Sequence, residues 1–148
     1  DELSHVFLNN ATIANNTSGL EGGGIFEELG RAELKNTLIT DNHAGIGSGN
    51  DCYGVLRSDD YNLISDRQGC RLNGPTANSI FGVSAQLEPL KDNGGPSPTH
   101  ALLTTSPAFD AGNDATCKAT DQRGVARPQW QHCDMGAYES TTPRSPGG

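Results

Sequence analysis

His100, in "GGPSPTH", offers an imidazole for general-base work, and the hydroxyls of Ser97 and Thr99 stand beside it in the sequence. A histidine base needs a substrate or nucleophile within hydrogen-bond reach and a group to orient it. No nucleophile-elbow pattern surrounds Ser97, so the expectation is a histidine bonded to backbone carbonyls at a turn. Asp59 and Asp60 suggest a second chemistry, because glycoside hydrolysis uses two carboxylates flanking one bond. Adjacent residues on a strand point to opposite faces, which argues for turn residues instead. A third set is oxygen-rich: Asp110, Asn113 and Asp114, with Asp121 and Asp134 further on. Calcium is the ion that such donors suit, yet the glycine and terminal glutamate of an EF-hand loop are missing. Asx turns that bond local backbone are the preferred reading, and no cofactor is expected. No catalytic residue is assigned, and an enzyme is the less favoured class.

Cys52, Cys70, Cys117 and Cys133 form no CxxC pair, so a zinc cluster lacks its usual spacing. Three disulfide connectivities are open. Sequential pairing, Cys52 with Cys70 and Cys117 with Cys133, closes two short loops and is the expectation. Each bridge would contribute about 3 kcal/mol by restricting the unfolded chain. Such bridges persist in oxidising compartments, which points to an extracellular or cell-surface location; four free thiols in a cytosolic protein are the alternative.

The elements that must position these groups follow from composition and period. The chain has 148 residues, 33% of them hydrophobic, 5% aromatic and 19% charged, with 19 glycines. That mixture suits a turn-rich all-β domain with a narrow core better than a helix-packed one. A net charge of −8 excludes a basic nucleic-acid footprint and disfavours acidic polysaccharides, leaving proteins, cations and neutral glycans as partners. No run of apolar residues is long enough for a membrane span.

"VFLNNATIANN" from Val6 and "AELKNTLITDN" from Ala32 align at a 26-residue offset. Val6 meets Ala32, Leu8 meets Leu34, Asn10 meets Asn36, Ile13 meets Ile39 and Asn16 meets Asn42. Asn62 lies one further period on, although its neighbours lose the register. Short alternating segments separated by turns, with no helical stripe, predict stacked strands: a right-handed parallel β-helix. Asn10, Asn36 and Asn62 would then form an amide ladder, each side chain bonding the next. The sequons at Asn10, Asn15 and Asn16 are set aside, since the first is a ladder position and the others need a eukaryotic secretory host.

From Tyr61 to Glu139 the chain resembles the choice-of-anchor Q domain, the C-terminal part of bacterial secreted or surface-displayed β-helix proteins. "NLISDRQGC", "LEPLKDNGGPSPTHALLTTSPAFDAG", "CKATDQRGVARP" and "CDMGAYE" carry the resemblance. It implies location and architecture, and no shared catalytic residues. The expected organisation is β-helix rungs over 1–86, an irregular disulfide-pinned cap closing one end over 87–139, and a flexible tail over 140–148. Arg123 is expected to pair with Asp121 or Asp134, with Trp130 and Met135 as apolar cover.

The leading expectation is a non-catalytic extracellular structural or adhesive module. The alternatives are a C-terminal fragment of a polysaccharide-acting enzyme and a structural subunit docked on a larger assembly. "DELSHVFLNN" opens with ladder-type residues, so upstream rungs or a stacked second chain are expected on that end.

Overall fold

The structure, a computed structural model, describes residues 5–28 and 31–144. Residues 1–4, 29–30 and 145–148, which take in the first residues of "DELSHVFLNN" and the end of the expected tail, lie outside the described residues. Among the described residues there is no helix. The strands are β1 (Val6–Asn9), β2 (Thr12–Ala14), β3 (Thr17–Ser18), β4 (Ile25–Glu27), β5 (Ala32–Lys35), β6 (Leu38–Thr40), β7 (His43–Ala44), β8 (Cys52–Ser58), β9 (Leu63–Ile64), β10 (Cys70–Asn73) and β11 (Ile80–Phe81). They form three parallel sheets. Sheet A has the order β1-β5-β8-β10 with β4 also on β8, sheet B is β11-β9-β6-β2, and sheet C pairs β3 with β7. The chain visits A, B and C in turn and then repeats the circuit.

The first two circuits stack in the register that the repeat predicts, with Val6 on Ala32, Leu8 on Leu34, Ile13 on Ile39 and Thr17 on His43. The corner residues explain the recurrent Asn and Asp. Asn10 and Asn36 turn the chain from sheet A to sheet B with φ of 53° and 48°. Asn15 and Asp41, each at φ 57°, make the next corner. Short Asx side chains tolerate this left-handed region better than other non-glycine residues.

Sheet A behaves as a half-buried sheet. Ala32 and Leu34 of "AELK" are buried, while Glu33 and Lys35 face outward. Inside, Leu34, Ile39, Cys52, Leu56 and Ile64 form one cluster, joined by the partly buried Leu8, Ile13, Leu72 and Phe81. Fully burying one such aliphatic side chain is worth about 1.5–3 kcal/mol.

The middle strands of sheet B, β6 and β9, are buried on both faces. Ile39 and Ile64 point into that cluster, and their neighbours Leu38 and Leu63 point the other way, into a second cluster with Ala85, Leu102, Ala108 and Met135. The C-terminal segment supplies that outer cover. It carries only isolated antiparallel bridges, Leu87 with Leu102, Lys91 with Thr99 and Thr120 with Ala126. The expected end cap is thereby corrected: the segment lies along the side of the stacked circuits. Gly136 N–H donates to Asn36 O at 2.7 Å, and Ala137 N–H donates to Thr12 Oγ1 at 2.9 Å. Gly136 sits at φ 91°, and a Cβ there would come within 2.6 Å of Leu38 Cδ1. Only glycine lets the segment lie this close. Ser140, the first residue of the expected tail, is itself buried, and its N–H donates to Asp134 Oδ2 at 2.6 Å.

Candidate functional site

The asparagine ladder takes a different form from the expected one. Leu38 stacks on Leu63, one residue short of the full period, so Tyr61 rather than Asn62 occupies the corner position below Asn36. Tyr61 accordingly shares the corner conformation, with φ 53°. Asn62 stands below Thr37, and its Oδ1 accepts the Thr37 N–H at 3.1 Å. Its amide donates to Leu34 O and Ser58 Oγ. Asn10 and Asn36 turn outward instead. Asn10 donates to Asp134 O and accepts from Lys118 N–H at 2.9 Å. Asn36 donates to Thr116 Oγ1 and Asn9 Oδ1 and accepts from Asn113 N–H at 2.8 Å. Asn10, Asn36 and Asn62 therefore do not bond one another, because two of the three clamp the C-terminal segment to the coil. A vertical side-chain relay does exist at the next corner: Asn16 Nδ2 donates to Asn42 Oδ1 at 2.9 Å, and Asn42 Nδ2 donates to Asp51 Oδ1 at 3.0 Å. Asp51 Oδ2 accepts from Ser65 Oγ and Asp66 N–H.

Asp59 and Asp60 are separated by their surroundings. Asp59 lies at the surface, 3.8 Å from Lys35 Nζ. Asp60 is buried and accepts the N–H groups of Tyr61 and Asn78, the Asn78 amide and the Ser79 hydroxyl. Burial opposes ionisation, yet these bonds, led by the Asn78 amide, hold its carboxyl below the usual range. His100 Nδ1 meets Glu88 O at 2.8 Å, as a histidine fixed to backbone does.

The oxygen-rich stretch opens onto a cleft of about 540 Å³, walled by Tyr61, Asn78, Asp110, Asn113, Asp114 and His132. His132 Nδ1 lies 2.8 Å from Asp114 Oδ2 at the surface. The Asp114 hydrogen bond raises the imidazole above its ordinary value, and the same bond lowers the carboxyl. Asp114 Oδ1 also accepts Cys133 N–H, and Asp110 Oδ1 accepts His132 N–H. No serine, lysine or free thiol lines this cleft. Among the described residues, no three His, Cys, Asp or Glu side chains are placed to share a metal ion.

The covering segment also holds a buried charged cluster. The Arg127 side chain is buried; its Nη1 pairs with Glu139 Oε2 at 2.7 Å and also donates to Asp134 O, while Nη2 donates to Gly136 O. Glu139 also accepts the N–H groups of Gln129 and Asp134. Asp121 pairs with Arg123 at 2.7 Å, and Arg123 lies 3.6 Å from the centre of the Tyr138 ring. Burial works against the Asp121 charge, but bonds from Glu139 N–H and Arg123 keep its carboxyl below the usual range. Asp134 goes the other way. Burial pushes it up to about 7, although Asp110 and Ser140 N–H groups donate to it. Arg127 is the member that sequence reading missed; its signal is a lone arginine inside "VARPQW", ahead of the equally isolated Glu139.

Cys52 is bonded to Cys70 and Cys117 to Cys133, with no free cysteine among the described residues. The first bridge lies in the inner cluster and the second closes a loop within the covering segment. Met135 is fully buried under that cover, whereas Trp130 is part-exposed and donates Nε1–H to Ser140 O at 2.9 Å. No helix is long and apolar enough to cross a membrane among the described residues. The chain matches no family model, and no significant match is found among curated proteins or solved structures.

Proposed function

We propose that this chain is a non-catalytic module of the cell exterior: a right-handed parallel β-helix of the choice-of-anchor Q type, with a structural or adhesive role. One observation carries the reading. Nearly every side chain that could do chemistry is occupied in holding backbone. Asp60, Asp121, Glu139 and Asn36 each accept from N–H groups of a neighbouring turn. Groups committed in this way cannot move protons or ligands without loosening the fold. The two disulfides favour an oxidising compartment. Among the described residues β1, β2 and β3 are paired on one side only, which supports a further rung or a second chain stacking there.

The test is to recover the chain from its native source. It should be found outside the cell, with Cys52–Cys70 and Cys117–Cys133 oxidised in non-reducing peptide maps. A reduced, intracellular pool would overturn the reading. The enzyme-fragment alternative draws on one feature, the His132–Asp114 pair beside an open cleft. Polysaccharide cleavage that disappears in His132→Ala while the fold persists would establish that alternative instead.

A further inference from the structure

We propose that the outer face of sheet A holds a notch for an acidic pyranose, a uronic-acid unit of a glycan; as an adhesive contact this rests on the surface-module reading. Phe26 and Tyr53 are register partners on β4 and β8. Their rings are parallel to within 6°, with centroids 5.5 Å apart, so they occupy successive places in a stack. Phe26 covers one face of Tyr53. On the other side the register runs from Gly54 to Cys70, which sets Gly69 opposite Tyr53, and Gly54 N–H donates to Gly69 O at 2.9 Å.

The third place in the aromatic stack therefore belongs to a glycine. Gly69 has φ 93°, and a Cβ there would lie 2.9 Å from Gly49 Cα. Backbone strain and that collision together keep the place free of any side chain. The space left is about 390 Å³, bounded by Tyr53, Gly54, Val55, Gly69 and Arg71. That volume falls within the range of small-molecule sites. Its walls are a ring face, a valine and bare backbone, which suit the flat C–H face of a six-membered sugar ring.

Arg71 selects the charge of the occupant. Arg57, Arg123 and Arg127 are paired with Glu33, Asp121 and Glu139. Arg71 is exposed, and no hydrogen bond or ion pair engages its guanidinium among the described residues. A guanidinium at the rim presents a planar fork that matches a carboxylate. A neutral sugar would leave it unmatched. The net charge of −8 opposes an acidic polymer at long range. Physiological salt limits that repulsion to about 8 Å, inside which Arg71 dominates.

Titration calorimetry with a uronic-acid trisaccharide and its carboxyl-reduced counterpart tests this on the oxidised chain. The acidic sugar should bind about tenfold more tightly than the reduced one, as a charge-assisted bond implies. Arg71→Gln, at an exposed site, should bring the acidic sugar down to the level of the reduced one and leave the latter unchanged. Tyr53→Ala should weaken both by about threefold to tenfold through loss of the stacking face, with thermal unfolding used to verify the fold. No saturable binding to the wild type, equal affinity for the two sugars, or an Arg71→Gln variant that still discriminates between them would overturn the notch. None of these outcomes bears on where the protein resides or on its disulfides, so the surface-module reading would stand or fall separately.

Discussion

Sheets A and B stack the same circuits of the same chain, yet one has a wet face and the other is covered on both faces at its middle strands. In β8 the outward residues Val55 and Arg57 are exposed while Leu56 between them is buried. In β6 all three of Leu38, Ile39 and Thr40 are buried. The difference lies in what covers each sheet. Sheet A leaves its outer face to solvent, and sheet B gives its outer face to residues 85–138. A parallel sheet thus acquires a second core from irregular chain. In that chain buried charges and one disulfide take the place of strand pairing.

The largest effects should come from breaking that cover at its ionic centre. Glu139→Ala leaves Arg127 buried without its partner, and such losses typically cost about 3–5 kcal/mol. Denaturant unfolding of the single variants and of the double variant Arg127→Met with Glu139→Met measures the coupling. The double variant should recover much of the loss. If Glu139→Ala alone is nearly neutral, the pair does not hold the cover.

The two faces can be compared directly with Leu38→Ala and Val55→Ala. Leu38 is fully buried on the outside of sheet B, so its truncation should cost about 2–5 kcal/mol. Val55 is exposed on the outside of sheet A, where changes usually stay within about 0.5 kcal/mol. Equal losses would mean that the covering segment does not seal sheet B.

Removing the Cys117–Cys133 bridge with paired serines should cost about 2–4 kcal/mol. Trp130, the only tryptophan, sits in the covering segment and should report loosening there through its fluorescence before sheet A unfolds. Coincident transitions would show that the two sheets melt as one unit.

The last effect is a pH dependence. Asp134 has a folded-state pKa raised to about 7, above the value of about 4 in an unfolded chain. Over that window the folded state holds a proton that the unfolded state releases, so this group favours folding increasingly as pH falls from about 7 toward 4. Asp60 and Asp121 are depressed, so their contribution is present above about 4 and is lost as pH falls through their folded values. Stability should therefore peak at mildly acid pH, and Asp134→Asn should flatten the neutral side of the curve. A wild-type profile that is already flat between pH 4 and 7 would contradict the burial of Asp134 as a neutral acid.

Much of sheet A and the first two circuits was legible because equal spacing puts like residues on like positions. Val6, Leu8 and Ile13 find Ala32, Leu34 and Ile39 by period alone. The third circuit was not, since Leu38 meets Leu63 one residue early and the ladder expected at Asn62 shifts to Tyr61. The cover on sheet B left a trace that alternation does not reveal. "LI" in β6, "LI" in β9 and "IF" in β11 place adjacent apolar residues on opposite faces, the mark of a strand buried twice. Within the covering segment the Cys117–Cys133 and Arg123–Asp121 pairings were legible from residue type and nearness in sequence, but one ion pair was not. Arg127 and Glu139 meet through irregular backbone, where no period relates one position to another.

The clamp between the first circuit and the end of the chain also sets an order of events. Asn10 meets Lys118 across 108 residues, and Thr12 meets Ala137 across 125. Contacts of such span slow folding, because closing a long loop precedes any reward. During synthesis at about 5–20 residues per second, the first circuit waits on the order of ten seconds for the residues that complete it. Throughout that interval the outer face of β2 and β6, including Leu38, is open to any other nascent chain or to a chaperone. The first circuit is thus most vulnerable to aggregation until the covering segment has been made.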